Sequence, residues 1–343
     1  MSDRPGFLLV FGAVFLLCVH MVAVFLYGAF ATAVSAPEPI TVEVLRGEPL
    51  TRVARRLGEA NILRDPALLR ALAVLRGDSA RIKAGEYILK GEISPNELLD
   101  YFVSGRARFI SLTIPEGFSL RDIAARVETL GVGPAAEFLR IAKDPEFIAA
   151  QGLPGNPEVP SLEGFAFPET YYLHRGFPME RLLTSMVGQF KRQAQPLVEE
   201  NAKKVRLTPY EVMVLASIIE KETGLAEERR LISAVFHNRL KAGMRLMSDP
   251  TVIYGIETFD GNLTRTHLRT STLYNTYKIF GLPPTPIANP GVASVVAALN
   301  PAKVSYLYFV AKGDGSHVFS KDLKTHNRAV WKYQKRRNGK RSL

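Results

Sequence analysis

The segment from Thr208 to Gly224 constrains the fold more than any other part of the chain, because it predicts a helix that is apolar around most of its circumference. Thr208 can cap the first turn, Pro209 suits the first helical position, and Glu211 completes a capping box. The apolar positions are Val212, Met213, Val214, Leu215, Ala216, Ile218 and Ile219. At about 3.6 residues per turn they leave little polar surface, so we expect a central core helix that stops at Gly224.

Two acids, Glu220 and Glu222, flank Lys221 near the end of this helix. Helical geometry places Glu222 roughly 40° from the centre of the apolar face and Glu220 roughly 120° from it. Because ionising a carboxyl group on a dry face is costly, we expect a raised pKa for Glu222, as a general acid needs. The alternative is a solvated helix end in which Glu222 pairs with Arg229 or Arg230.

Composition limits the class of protein. With 343 residues, of which 47% are hydrophobic, the chain can build two or three modules and is not mostly disordered. The net charge of +11 favours an anionic partner such as nucleic acid, phospholipid head groups or an acidic polymer. Cys18 is the only cysteine and the six histidines are scattered, which excludes a disulfide framework and argues against a metal site. No cofactor is expected.

The N-terminal stretch from Phe7 to Val34 carries no formal charge and is longer than the roughly 20 residues that span a bilayer. It predicts a transmembrane anchor at 7–34. The alternative is a signal peptide cleaved near Ala36, but an apolar signal region is shorter, about 7 to 15 residues. Arg4 precedes the stretch and Glu38 follows it, so we expect residues 1–6 in the cytoplasm and the rest outside the inner membrane, away from nucleic acid.

Residues 40–105 predict a small module with the order strand, helix, helix, strand, followed by a third helix at 96–103. The first helix shows apolar residues at helical spacing from Leu50 to Leu57, and the second strand contains Lys-Ala-Gly-Glu-Tyr at 83–87. This pattern resembles a LysM-like glycan-binding module. The alternative is an α+β spacer without a binding role.

Residues 111–335 predict a second, mixed α+β domain built around the buried helix, with a basic tail at 336–343. Glu163 and Glu169 lie in an aromatic segment, 161–172, whose rings suit sugar stacking or a core. One amphipathic helix is expected at 179–203 and another at 227–240. Proline-rich and aromatic loops then predict a cleft wall without regular structure, and Gly313-Asp-Gly315 predicts a hairpin.

Several ordered motifs together resemble the endolytic murein transglycosylase family, also called MltG or YceG-like. They are Leu-Ala-Ser-Ile-Ile-Glu-Lys-Glu-Thr, Val-Phe-His-Asn-Arg-Leu, Met-Arg-Leu-Met-Ser-Asp-Pro-Thr-Val-Ile-Tyr-Gly, Tyr-Asn-Thr-Tyr, Gly-Leu-Pro-Pro-Thr-Pro-Ile-Ala-Asn-Pro-Gly and Tyr-Leu-Tyr-Phe-Val-Ala. The resemblance extends from the anchor to the hairpin. It implies a membrane-anchored lyase that cleaves the bond between N-acetylmuramic acid and N-acetylglucosamine inside nascent glycan strands, leaves a 1,6-anhydro end and so terminates strand elongation.

The resemblance also implies a set of site residues and partners. The family's catalytic glutamate matches Glu222, and Glu220 is the fallback. The shared motifs place Tyr254, Tyr274, Asn275, Tyr277 and Asp249 among the substrate-binding residues. No cofactor or metal is implied. The partners are peptidoglycan glycan strands, peptidoglycan synthases and the elongation or division machinery.

Ring closure by the muramoyl C6 hydroxyl consumes no water, so one carboxyl group can donate a proton and then accept one. A glycoside hydrolase ordinarily needs a second carboxylate, for which Glu163, Glu169 and Asp249 are available. The alternatives are therefore a lysozyme-like muramidase using Glu222 with Asp249, and a peptidoglycan-binding scaffold without catalysis.

Overall fold

The computed structural model describes residues 4–31, 34–105, 110–155, 159–173 and 177–335. The chain divides into two units, one of Met1–Ile110 with Tyr172–Arg175 and one of Ser111–Tyr171 with Gly176–Leu343. Helices and strands occur in both, which confirms the predicted α+β class. The basic tail predicted at 336–343 and the first three residues of the predicted cytoplasmic segment lie outside the described residues.

The first unit is built on one antiparallel strand pair. Its elements are α1 (Arg4–Phe30), β1 (Val34–Val44), α2 (Leu50–Glu59), α3 (Pro66–Arg76), β2 (Gly85–Ile93) and α4 (Pro95–Ser104). β1 pairs with β2 so that Val42 lies opposite Tyr87, and both side chains are buried. Leu50, Val53, Ala54 and Leu57 of α2 are buried in the same core. The predicted order of strand, helix, helix and strand is confirmed.

The N-terminal helix α1 packs on α3 and α4 near its C-terminal end. Ala29 is buried, and a side chain at Gly28 would come within 3.0 Å of Leu68. The helix ends at Phe30, and Val34, the last residue of the predicted span, begins β1. Within the part of the chain that the structure describes, no helix combines enough length and apolarity to cross a membrane.

The chain from residue 110 onward, which belongs to the second unit apart from Ile110 and 172–175, alternates helices with short strands. Its elements are β3 (Ile110–Thr113), α5 (Leu120–Thr129), α6 (Ala135–Ile141), α7 (Pro145–Ala150), β4 (Thr170–Leu173), α8 (Met179–Gln193), α9 (Gln195–Asn201), α10 (Pro209–Glu222), α11 (Ala226–Lys241), α12 (Asp249–Tyr254), α13 (Arg265–Arg269), α14 (Val292–Leu299), β5 (Tyr308–Ala311), β6 (His317–Ser320) and α15 (Leu323–Val330), with a 3₁₀ turn at Ala202–Val205 and a π turn at Trp331–Lys335. β3 pairs with β4, and β5 with β6. The predicted C-terminal hairpin is confirmed, with Phe309 opposite Phe319.

The central helix α10 is the predicted core helix. The capping box is present, because Thr208 Oγ1 accepts from the Glu211 amide and the Glu211 carboxylate accepts from the Thr208 amide. Every residue from Val212 to Ile219 is buried, and the helix packs on α9, α11, α12 and α14. The helix stops just before Gly224, as predicted, but the glycine does not take the left-handed conformation: the backbone becomes extended at Thr223, whose Oγ1 accepts from the Leu225 amide.

Two other predictions are corrected by proline chemistry. The helix expected at 179–203 is broken at Ala194, because Pro196 lacks the amide hydrogen that a continuing helix would need there. The cleft wall that was expected to lack regular structure contains α12, which starts at Asp249 with Pro250 in its first turn, where a missing amide hydrogen costs nothing.

Candidate active site

A cavity of about 420 Å³ lies at the C-terminal end of α10, within the size range of small-molecule sites. Its lining includes Glu222, Arg239, Met247, Asp249, Tyr277, Tyr308, His317, His326 and Asn327. These residues come from α10, α11, the start of α12 and the loop before it, the loop between α13 and α14, and the β5–β6 hairpin with its following helix. A larger cavity of about 630 Å³ in the first unit is lined by α2 and α3 and contains three arginines and one acid, Glu59. The Glu59 side chain is largely exposed, so this cavity offers no comparable acid–base chemistry.

Glu222 is the last residue of α10 and is partly buried. Ser248 Oγ donates a hydrogen bond of 2.5 Å to Glu222 Oε1. Ser248 is itself buried and fixed, because its amide donates to Thr276 Oγ1 at 3.0 Å. The carboxyl group is therefore held in one orientation toward the cavity by a neighbour that has little freedom to move.

Burial raises the pKa of Glu222 to about 7, and the negative charge of Asp249 acts in the same direction. The Ser248 hydrogen bond and the positive charge of Arg239 oppose this rise, because both stabilise the carboxylate. The negative end of the α10 dipole further disfavours the ionised form. The expected rise in pKa is confirmed, and near neutrality both protonation states are populated.

Glu220, the fallback acid, is held by contacts of its own. Its Oε2 accepts from the Gly291 amide at 3.0 Å, and its Oε1 lies 3.8 Å from Arg229 Nη2. Its side chain is only 7% exposed. The alternative in which Glu222 pairs with Arg229 or Arg230 is wrong, because Arg229 pairs with Glu220 and Arg230 Nε donates to the Asn300 carbonyl.

Arg239 brings a buried positive charge to the cavity wall. Its Nε donates to the Leu307 carbonyl at 2.7 Å, and its Nη1 donates to the Leu246 carbonyl at 2.5 Å. Its guanidinium also lies 5.4 Å from the centre of the Tyr308 ring. These contacts position the charge so that it favours the ionised form of Glu222.

Of the predicted substrate residues, Asp249 and Tyr277 line the cavity with Glu222. The Tyr277 hydroxyl donates to Asp249 Oδ1 at 2.7 Å, and this contact adds to burial in raising the pKa of Tyr277. Asp249 is exposed, so its carboxylate is open to solvent or to a ligand. The structure thus brings together one acid with a raised pKa and one exposed acid held by a phenol.

Tyr254 and Tyr274 contact each other edge to face, with ring centres 4.9 Å apart. Tyr254 lines a different cavity, of about 510 Å³, together with Arg121 and Lys221. Its hydroxyl donates to Glu163 Oε2 at 2.9 Å, whereas the Tyr274 hydroxyl bonds to Thr285 Oγ1. Neither tyrosine lines the Glu222 cavity.

The prediction that Asn275 binds substrate is not supported by its position, because its side chain is fully buried. Its Nδ2 donates to the carbonyls of His267, Leu268 and Thr270, and its Oδ1 accepts from the Tyr277 amide. Every polar atom of the amide is used to hold the loop. Through the bond to the Tyr277 amide, Asn275 helps to fix the backbone of a residue that lines the Glu222 cavity.

The other two candidate second acids lie elsewhere. Glu163 is 1% exposed and accepts from the Leu120 amide at 3.1 Å and from Asn289 Nδ2 at 3.1 Å. Burial raises its pKa to about 7. Glu169 is exposed, and its carboxylate accepts from the adjacent Thr170 amide. Most of the aromatic segment is core, since Phe165 is buried and packs edge to face on Phe190, whereas Tyr172 at its end is exposed.

Among the residues that sequence reasoning missed are Arg239, His317 and His326, which line the cavity, and Ser248, which donates to Glu222. Arg239 and Ser248 stand inside the quoted motifs and the two histidines stand outside them, and no local pattern relates any of the four to Glu222. Within the described ranges, no three His, Cys, Asp or Glu side chains come together as a metal site would require.

The comparisons with known proteins agree with this architecture. The YceG-like family model matches residues 42–332. A Bacillus subtilis protein named endolytic murein transglycosylase is 30% identical over 91% of this chain and 92% of its own length. A Streptococcus pneumoniae protein with the same name is 28% identical over 85% of this chain, which spans 58% of that relative. A crystal structure of a yceG-like protein from Listeria monocytogenes superposes with a TM-score of 0.58 at 32% identity, covering 86% of this chain and 100% of that one. The chain belongs to the YceG-like family.

Proposed function

We propose that this chain is an endolytic murein transglycosylase, a lyase that cleaves the bond between N-acetylmuramic acid and N-acetylglucosamine within nascent glycan strands. The observation that carries the proposal is the state of Glu222, a fixed carboxyl group in a cavity with a pKa of about 7. The names of the Bacillus and Streptococcus relatives support the substrate class.

The first step uses Glu222 as an acid. The protonated carboxyl donates its proton to the glycosidic oxygen, the bond from that oxygen to the muramoyl anomeric carbon breaks, and positive charge develops at that carbon. The N-acetylglucosamine leaves with the proton. Burial of Glu222 and the nearby charge of Asp249 supply the protonated form that this step needs.

The second step uses the same group as a base. The Glu222 carboxylate accepts the proton of the muramoyl C6 hydroxyl while its oxygen bonds to the anomeric carbon, which gives the 1,6-anhydro ring. Glu222 regains its proton, and no water is consumed. Ser248 and Arg239 stabilise the carboxylate between the two steps. A pKa near neutrality suits a group that must do both.

A lysozyme-like muramidase is the second candidate, favoured by the position of Asp249 in the same cavity. In that reaction water attacks the anomeric carbon, and a second carboxylate assists. Mass spectrometry of products from purified uncrosslinked glycan strands tests the proposal. We expect anhydro ends from the wild type and a loss of about 10²- to 10⁴-fold in rate for Glu222→Gln. Reducing ends would favour the muramidase, and undiminished cleavage by Glu222→Gln would remove the mechanism.

The proposal includes attachment to the inner membrane by the N-terminal stretch, with the remaining domains outside the cytoplasm. Its support is the uncharged sequence from Phe7 to Val34 and the exposed apolar side chains of α1, such as Phe15, Leu16 and Met21. Fractionation of the full-length chain, with and without an alkaline wash, tests the attachment. Release of the intact chain by the wash would contradict it.

The proposal also assigns glycan binding to the module at 40–105, on the support of its strand and helix order, and interaction with peptidoglycan synthases. Wild-type protein that binds glycan strands but cleaves none would favour the third candidate, a scaffold of the cell-wall machinery. Binding and cleavage measured on the same strands distinguish the two.

A further inference from the structure

A buried pair of side chains joins α11 to the C-terminal hairpin beside the Glu222 cavity. His317 Nδ1 lies 2.6 Å from Glu228 Oε2, and the His317 amide donates to Glu228 Oε1 at 2.9 Å. Both side chains are only 10% exposed. The mechanism above does not use either residue, although His317 lines the cavity with Glu222.

The two contacts fix the orientation of the imidazole. One carboxylate oxygen holds the backbone and the other holds Nδ1, so the ring has little freedom to rotate. The ring is also packed edge to face on Phe309, with centres 5.4 Å apart. Because Nδ1 faces Glu228, Nε2 is the ring nitrogen that remains for a ligand in the cavity. It is an acceptor when the ring is neutral and a donor when the ring is protonated.

The position of Glu228 on α11 relates this pair to the cavity. Glu228 and Arg239 are separated by three helical turns with a remainder of about 20°, so they lie on one face of α11. Both are buried, and both contact the hairpin segment: Arg239 at the Leu307 carbonyl and Glu228 at His317. This face of α11 therefore sets the placement of the hairpin wall opposite Glu222.

We propose that His317, oriented by Glu228, is a substrate-contacting residue whose Nε2 hydrogen-bonds a polar group of the glycan bound in the Glu222 cavity. Hydroxyl and acetamido groups of the sugars supply both donors and acceptors, so either protonation state of the ring can make the bond. Glu228 acts through His317 and is a positioning residue. The inference rests on the proposed function, since it takes a glycan strand as the occupant.

The competing explanation is a clamp that only secures the hairpin, and two substitutions separate it from a substrate contact. His317→Asn keeps a donor at the Nδ1 position, within reach of Glu228, and removes Nε2. His317→Gln places an amide at the Nε2 position and loses the contact to Glu228. A substrate contact predicts weaker binding for His317→Asn than for His317→Gln, and a clamp predicts the reverse order.

The experiment measures binding of purified uncrosslinked glycan strands to the full-length chain carrying Glu222→Gln, so that turnover does not interfere. We expect His317→Asn to weaken binding about tenfold, as the loss of one hydrogen bond does, and His317→Gln to weaken it less. Equal binding with and without His317→Asn, or the reverse order, would overturn the inference. In the otherwise wild-type chain, the same loss should appear in KM more than in kcat.

Asn238→Ala is the matched control. Asn238 lies on α11 and donates to the Val304 and Tyr306 carbonyls at 2.9 Å each, so it secures the same hairpin segment from outside the Glu222 cavity. The Asn238→Ala substitution should lower thermal stability and leave the affinity of the folded protein for glycan strands unchanged. If Asn238→Ala weakens binding as much as His317→Asn does, the contact is a clamp. Failure of the wild type to cleave strands would instead count against the proposed function, independently of these affinities.

Discussion

Ser248 Oγ donates to Glu222 Oε1 at 2.5 Å, although the two residues are 26 positions apart in the chain. The bond acts against the burial that raises the pKa of Glu222, because a donated hydrogen bond favours the carboxylate. The pKa of Glu222 therefore depends on a hydroxyl group from the loop before α12. Substitutions in that loop should change the pH dependence of the reaction.

Ser248→Ala should raise the pKa of Glu222 above about 7, since the donor that stabilises its carboxylate is lost. The first step needs the protonated acid, so the alkaline limb of kcat/KM should move to higher pH. The acid step should slow, because an acid of higher pKa donates its proton less readily and the carboxylate that forms lacks the Ser248 contact. A pH–rate profile of strand cleavage measures both effects. An unchanged alkaline limb would show that the Ser248 hydrogen bond does not affect the pKa of the group that donates the proton.

Asp249→Asn should act in the opposite direction. The negative charge of Asp249 raises the pKa of Glu222, so its removal should move the alkaline limb to lower pH. If ring closure is the reaction, anhydro ends should remain the product at a reduced rate. Loss of all cleavage, together with reducing ends from the wild type, would identify Asp249 as the second carboxylate of a muramidase.

Glu222→Gln should stabilise the folded protein in alkaline solution and leave it unchanged in acid. Burial raises the pKa of Glu222 from 4.5 to about 7, so the folded state holds its proton more tightly than the unfolded state does. The free energy of unfolding of the wild type therefore falls as pH rises from about 4.5 to about 7, by about 3 kcal/mol in total. Denaturant unfolding at pH 4 and pH 8 measures this; a gain of equal size at both values would contradict the assignment.

Asn275→Ala should lower the free energy of unfolding by about 2–4 kcal/mol, because it leaves several buried loop groups without partners. These are the carbonyls of His267, Leu268 and Thr270 and the Tyr277 amide. Urea unfolding measures the loss. Affinity of the folded protein for glycan should fall far less than it does for Tyr277→Phe, which removes the bond to Asp249 in the cavity.

The parts of the fold that were predictable are those determined by nearby residues. The capping box of Thr208 and Glu211, the buried face of α10 and the hairpin at 308–320 follow from spacings within single elements. The raised pKa of Glu222 was predictable for the same reason, since helical geometry alone places it near the apolar face. The helix break at Ala194 was also predictable from a nearby residue, Pro196. The amphipathic spacing continues across it, which led to the prediction of a single helix.

The rest depended on contacts between distant segments. Arg239 and His317 line the Glu222 cavity and Ser248 donates to Glu222, and these three residues come from different segments that no spacing in the sequence relates. Asn275 stands beside two tyrosines in one motif, yet its amide turns inward while Tyr277 faces the cavity. A motif identifies residues that occur together and does not indicate which side chain points to the ligand.

The end of α10 at Glu222 makes the site sensitive to helix length. The capping box fixes the start of the helix, and the acid is the last of 14 residues. Insertion or deletion of a single residue between them would turn Glu222 by about 100° and shift it by about 1.5 Å along the axis. Ser248 would then face a different side chain. We therefore expect relatives that use this acid to keep the same number of residues from cap to acid.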